Sequence, residues 1–341
     1  MSTRAAASPR PPTLATVAAV AGVSPATVSR VINGSAPVTP PVRDAVEAAI
    51  ERLGYVPNRA ARSRVTRRTD SIGLVVREPV GFGIADPYLS SMIVAASQSL
   101  VGSGVQLVVM LAQDDDDHAQ LAHYVRGGHV DGVMLVSVHD DDPLPRQLIR
   151  AGIPTVLGSR PMTPIEGGTF VDVDSEGGAR IVADRLLGRG RHRLATVAGP
   201  QDMSAAVDRL RGFRAALRDA GSPPPAVAFG AFTRESGEVA MRELLDREPD
   251  VDAVFVANDL MALGALTALK AAGRRIPDDV AVVGFDDVEL AQHAEPPLTT
   301  VRQPIAEQAR LMVEILVRQI GGATEQDPVV LPTTLVERAS G

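Results

Sequence analysis

The stretch from Leu14 to Asn33, LATVAAVAGVSPATVSRVIN, admits few folds. Val17, Ala18, Val20 and Ala21 are apolar at helical spacing, and Gly22 then permits a sharp turn that a residue with a Cβ would resist. Ser24 is a natural N-cap, with Pro25 at the first helical position, where its missing N–H costs nothing. Val28, Val31 and Ile32 make an inner stripe on this second helix. Its other face carries Thr27, Ser29, Arg30 and Asn33: short polar side chains that reach phosphates, and a guanidinium that can fork onto a guanine edge. An ordinary αα-hairpin would satisfy the apolar pattern, but it has no need of that polar face. The pattern predicts a helix-turn-helix whose second helix enters a major groove.

Charge supports that reading. The chain carries a formal net charge of −7 over 341 residues. Before Asp70, however, ten arginines stand against three acidic residues, so the head is +7 and the remainder −14. A basic head on an acidic body is the electrostatic footprint of a DNA-binding unit joined to something else. There are no cysteines, which excludes disulfides, zinc thiolates and a cysteine nucleophile. The beginning, MSTRAAASPRPP, lacks the apolar core of a secretory signal, and no apolar run approaches a membrane span, so a soluble, cytoplasmic protein is expected.

Taken in order, residues 1–12 read as a disordered arm and residues 13–57 as the DNA-binding domain. After the turn-rich NGSAPVTP, Thr39 and Pro40 start a third helix running to about Leu53, with Val42, Val46, Ala49, Ile50 and Leu53 on one face and Gly54 as its stop. Residues 58–70 read as a hinge helix and linker, bearing Arg59, Arg62, Arg64 and Arg67. The segment is either a solvated basic linker or a short helix that orders on DNA. From Ser71 the texture changes to short β-branched runs: SIGLVV, VQLVVM, DGVMLVS, IPTVLG, then HRLATVAG, PAVAFG, VDAVFVAND and DVAVVGFDD. They predict buried parallel strands in βαβ units, giving an α/β body of two doubly wound parallel-sheet subdomains behind an all-α head. The first subdomain is expected over 71–172 with a returning segment at about 303–327, the second over 173–302 with a C-terminal segment at about 328–341. Ligands in such sheets bind beyond the carboxyl ends of the strands.

The motifs TVAAVAGVSPATVSRVING, LGYVPNRAARS, VANDLMALGALTAL, DVAVVGFDDVELA and PPLTTVRQP occur in that order. Between Thr13 and Arg338 the chain resembles the lactose repressor/galactose repressor family of bacterial transcription regulators. The resemblance implies a helix-turn-helix head, a hinge helix and a core similar to periplasmic sugar-binding proteins. It also implies a homodimer on a pseudo-palindromic operator, with a small effector held between the core subdomains. The DNA contacts it implies are Thr13, Ser24, Pro25, Ala26, Thr27, Ser29, Arg30 and Asn33 from the head, with Tyr55, Asn58, Arg59, Ala61, Arg62 and Arg64 from the hinge stretch. Pro25 and Ala26 occupy the base-reading tip; small and apolar, they can meet a thymine methyl, which leaves Arg30 as the main direct reader. The family usually places a leucine wedge where this chain has Arg64. Either Val65 takes over that role or Arg64 reads a narrow minor groove.

Effector contacts implied by the resemblance are Arg209, Phe232, Asn258 and Asp286, with Tyr88 and Arg160 as further candidates. Asn258 and Asp286 end strands, where amides and carboxylates can pair with vicinal hydroxyls; Asn258 reads equally well as a helix cap, and Phe232 as plain core. Two departures, Ser159 for a family aspartate and Val207 for a family arginine, loosen the transfer of any one ligand. A carbohydrate is the first expectation and a purine or nucleoside the second. The run Asp114–His118 reads as a solvated acidic loop rather than a metal site. No metal, no cofactor and no catalytic constellation is expected: HExxH, GxSxG, the P-loop and GxGxxG are all missing. The sequence therefore reads as a ligand-responsive repressor, a dimer in the absence of a leucine-heptad tail, with a solute-binding module for sugar uptake as the alternative.

Overall fold

The computed structural model describes residues 12–33, 37–55, 68–77, 86–112, 115–323 and 327–341. The chain divides into two units, residues 1–69 and 70–341.

The first unit is helical. α1 spans Leu14–Ala21, α2 Pro25–Asn33 and α3 Pro40–Leu53. Thr13 opens α1 with a reciprocal cap: its hydroxyl accepts from the Thr16 N–H, and the Thr16 hydroxyl accepts from the Thr13 N–H. Gly22 closes α1 at φ 68°, donating its N–H to Ala18 O, and the chain turns by 103° into α2. The Ser24 hydroxyl accepts from the Thr27 N–H at 3.1 Å. Val17, Ala18, Val28, Val46, Ala49 and Tyr55 fill the centre. A core this small leaves little reserve, since each such aliphatic side chain contributes about 1.5–3 kcal/mol on burial.

The second unit holds two sheets. In the first, β1 (Ser71–Arg77), β2 (Gln106–Ala112), β3 (Val133–Val136), β4 (Thr155–Leu157), β5 (Thr169–Val173) and β11 (Val329–Leu331) lie in the order β11-β5-β4-β3-β1-β2, all parallel. One face is covered by α4 (Pro87–Ser99) and α12 (Ile305–Ile320), the other by α5 (Asp115–Arg126) and α6 (Leu144–Arg150). With helices on both faces, the inner strand β1 buries five consecutive residues, which is why it reads as an unbroken apolar run. Just before it, the Asp70 N–H donates to Asp131 Oδ2 at 2.9 Å.

In the second sheet, β6 (Leu194–Ala198), β7 (Ala226–Phe229), β8 (Ala253–Val256), β9 (Ala281–Asp286), β10 (Thr299–Arg302) and β12 (Thr334–Val336) follow the order β12-β10-β9-β8-β6-β7. Only β12 is antiparallel to its neighbour. α7 (Ser175–Gly188) and α8 (Ser204–Asp219) cover one face, α9 (Arg234–Arg247) and α10 (Asp259–Ala271) the other. α9 and α10 touch backbone to backbone: a Cβ on Gly264 would stand 2.0 Å from Arg234 O. A short α11 (Glu289–Gln292) follows β9.

The chain passes between these lobes three times, after β5, after β10 and between β11 and β12. Two points depart from the sequence reading. The run TFVDV was not expected as a strand, nor was Thr299–Arg302. The C-terminal segment was expected to join the second lobe from about 328, but Val329, Val330 and Leu331 pair with Val171, Asp172 and Val173 of the first. The apolar VVL run completes that sheet's edge, so the last passage falls at residues 332–333. Among the described residues no single helix is long and apolar enough to cross a membrane.

Candidate functional site

The helical unit presents Thr13, Ser24, Pro25, Ala26 and Arg30 on its exposed surface, with Thr27 and Ser29 partly exposed. Val28, on α2, is fully buried. The Ser24 and Thr27 hydroxyls are 2.9 Å apart, so capping and display coincide. Tyr55 is different. It was expected to touch DNA, but its ring is 8% exposed and packs in the core against the three helices. Gly54, at φ 59°, turns the chain back so that this ring covers the end of α3. Asn33 ends α2, and its side chain lies outside the described residues, as do Asn58, Arg59, Ala61, Arg62, Arg64 and Val65.

In the second unit a cavity with an empty volume of about 640 Å³ opens between the two lobes at the carboxyl ends of the strands. Five of the six effector positions named from sequence line it: Tyr88, Arg209, Phe232, Asn258 and Asp286. The second lobe's wall is tightly built. Arg209, on α8, is 4% exposed; one guanidinium nitrogen donates to Ala257 O at 2.6 Å and lies 3.5 Å from Asp286 Oδ1. Its guanidinium carbon sits 3.8 Å from the Phe285 ring centre and 5.9 Å from that of Phe232, within cation–π range. Burial lowers the pKa of this arginine from its ordinary value, and Asp286 works against that shift.

Asp286 ends β9, 6% exposed, and accepts from the Gln303 side-chain amide. Burial pushes its carboxyl up to about 7 against the opposing pull of Arg209. Asn258 is a helix cap, its Oδ1 accepting from the Met261 N–H of α10 at 2.9 Å, and it also lines the cavity. Its amide also donates to Phe232 O, fixing the loop that carries the aromatic ring. That ring lies over Gly199, where a Cβ would come within 2.6 Å of it. The neighbouring acids are structural. Asp259 is fully buried, accepting from the Thr300 hydroxyl and the Val288 N–H, and Asp287 pairs with Arg302 and Arg338, each at 2.6 Å.

The first lobe contributes Tyr88, whose hydroxyl donates to Gln308 Oε1 at 3.4 Å. Burial, with Asp286 nearby, raises the pKa of this phenol, so it is a neutral donor. Gln308 in turn donates to Gly158 O and Val171 O. Asp86 caps α4 by accepting from the Tyr88 N–H at 2.7 Å. Arg160 does not line the cavity. Its guanidinium reaches across to the second lobe's Asp208, at 2.8 and 2.9 Å, because that buried carboxylate offers the better partner. A second contact between the lobes joins His139 Nδ1 to Asp202 Oδ2 at 2.7 Å, beside the Asp140 N–H on Asp202 O.

Among the lining residues that escaped the sequence reading are the carboxylates Asp86 and Asp172 and the amides Gln303 and Gln308. For Asp172 a signal existed, an acid inside the β-branched run FVDV. Ser137, Phe232 and Asp286, all on the cavity, have φ values of 55°, 60° and 117°. Such left-handed backbone in non-glycine residues costs energy and clusters where ligands bind. Among the described residues no group of three or more potential ligands could hold a metal ion.

Comparison with known proteins agrees with this layout. Residues 13–58 match the family model described as bacterial regulatory proteins, lacI family, and residues 183–341 match a periplasmic binding protein-like domain. The chain is 52% identical over 336 residues to the HTH-type transcriptional regulator CelR of Thermobifida fusca, covering 97% of this chain and 99% of the relative. It is 33% identical over 335 residues to the ribose operon repressor of Escherichia coli K12, covering 96% and 99%. A solved complex of the transcriptional regulator CelR with cellobiose is similar at TM-score 0.78 and 50% identity, over 97% of this chain and all of that one. The lac repressor dimer bound to operator and the anti-inducer ONPF is similar at TM-score 0.85 and 29% identity, over 97% and 99%. These relatives are DNA-binding regulators, not enzymes, and this chain, with a helix-turn-helix unit and a two-lobed unit that encloses a cavity, belongs to the LacI family of bacterial transcriptional regulators.

Proposed function

We propose that this chain is a homodimeric repressor of a pseudo-palindromic operator, released by a β-linked glucose disaccharide of the cellobiose type. The observation that carries the effector is the 50% identity, over nearly the whole chain, to a regulator solved with cellobiose. The cavity is consistent with it. Carboxylates at Asp86, Asp172 and Asp286, amides at Asn258, Gln303 and Gln308, and the ring of Phe232 suit a polyhydroxylated ligand with an apolar face. The relatives PurR of Vibrio atlanticus and CytR of Escherichia coli K12 are only 30% and 32% identical, and a carbohydrate of the cellobiose type is preferred on that difference. On the DNA side, Arg30 reads a guanine while Ser24, Thr27 and Ser29 hold phosphates. Thr13, Pro25, Ala26 and Asn33 complete the head's contact surface. The domain boundaries expected from sequence, with the last passage moved to 332–333, divide the roles: residues 13–57 read DNA, 58–70 connect, and the two lobes bind.

Fluorescence anisotropy with DNA from upstream of the chain's own gene tests this. Cellobiose should weaken binding by roughly ten- to a hundredfold, the usual range of such couplings. Arg209→Met should keep DNA binding and lose the response, because Asp286 loses its cation in the cavity wall. DNA binding indifferent to cellobiose would remove the effector assignment.

A further inference from the structure

The charges around the cavity are unbalanced. Among the described residues lining it are three carboxylates, Asp86, Asp172 and Asp286, and one cation, Arg209. Each carboxylate is less than a tenth exposed. Arg209 already has partners: Ala257 O, Asp286 and the face of Phe285. Asp172 accepts only backbone N–H groups, from Arg160 at 3.0 Å and Val173 at 2.8 Å. The Arg160 guanidinium hydrogen-bonds Asp208. The first lobe therefore faces its ligand with a buried acid that hydrogen-bonds no cation among the described residues and on which the charges of Arg160 and Arg209 act only as opposing influences to its burial.

We propose that this cavity admits uncharged saccharides and rejects their phosphorylated or carboxylated counterparts, with Asp172 as the residue that sets the choice. The inference rests on the cavity being the effector site proposed above. A sugar hydroxyl donates to Asp172 and satisfies it. A phosphate or carboxylate has no proton to give, and it places a like charge against a carboxylate shielded from water. The effector then arrives from a hydrolytic cleavage of a glycan, before any phosphoryl transfer to the sugar.

Calorimetric titration of the full chain at pH 8 tests the idea with matched pairs: cellobiose and cellobionate, glucose and glucose 6-phosphate, ribose and ribose 5-phosphate, adenosine and its monophosphate. Within any pair that binds, the acidic member should be roughly a hundredfold weaker or more. Asp172→Asn should shrink that gap at least tenfold, mainly by improving the acid. The wild-type comparison stands alone if the variant folds poorly. An acidic member that matches its neutral parent overturns the proposal, and so does a gap unchanged in a folded Asp172→Asn protein. If cellobiose is silent while another neutral sugar binds, the cellobiose assignment fails and the charge rule holds.

Discussion

The two binding surfaces of this protein are built on opposite terms. The helical head displays short polar groups on the outside of one helix, over a core of six buried residues. The cavity hides its polar groups: Arg209, Asn258, Asp286 and Gln308 are all more than nine-tenths buried, each hydrogen-bonded to its surroundings, with Arg209 3.5 Å from Asp286. Exposed groups are already solvated and cost little to keep, so the head's weak point is its scaffold. Buried groups are costly whenever a partner is lost, so the cavity's weak point is its wiring.

A substitution that strikes the small scaffold should separate the two regions most sharply. Val46→Asp puts a charge at a fully buried position of α3. It should unfold the head, abolishing DNA binding in a gel shift, while calorimetry finds effector binding by residues 70–341 within about threefold of wild type, as expected when a change lies outside the site. Loss of both functions would mean that the units fold as one.

Next in size is a pH effect confined to the cavity. Asp286, raised to about 7, keeps in the folded state a proton that the unfolded chain releases near the ordinary value of 3.8. Its contribution to stability is therefore greatest at low pH and falls as pH rises through that window, by on the order of 1 kcal/mol per pH unit. Thermal unfolding of the second unit between pH 5 and 7.5 should show that decline, and Asp286→Asn should flatten it. A slope unchanged in the variant would assign the titration elsewhere.

The smallest expected effect belongs to the exposed surface. Arg30→Ala should cost ~1–3 kcal/mol on operator and much less on random DNA at one salt concentration. Equal losses on both would reduce Arg30 to a phosphate contact.

The same contrast explains what the sequence discloses. Everything that shapes the head up to Leu53 is local: Gly22, Ser24 and Pro25 are neighbours, and their turn chemistry is written in adjacent letters. Tyr55 misleads because it follows a helix stop inside a motif that points toward DNA, whereas its burial depends on packing against α1 and α2. The cavity brings together residues up to 222 positions apart, from Asp86 to Gln308. Residues at strand ends, Asn258 and Asp286, were visible because the β-branched runs before them were. Gln303 and Gln308 flank a passage between lobes and carry no pattern of their own. Asp172 interrupts the apolar run TFVDV with a charge, so the run does not read as a buried strand. Arg160 was placed correctly at a strand end, but nothing in sequence foretells that it would turn to Asp208.

One consequence lies in the attachment at Asp70. The residue is pinned to Asp131 and runs directly into β1, which lies between β3 and β2. The link to the helical unit thus enters one lobe beside a central strand of its sheet. Motion of the second lobe reaches that link through the three passages and through the pairs Arg160–Asp208 and His139–Asp202, so the first lobe acts as the gearbox of the molecule, and loosening its interior would mute the signal without touching either ligand.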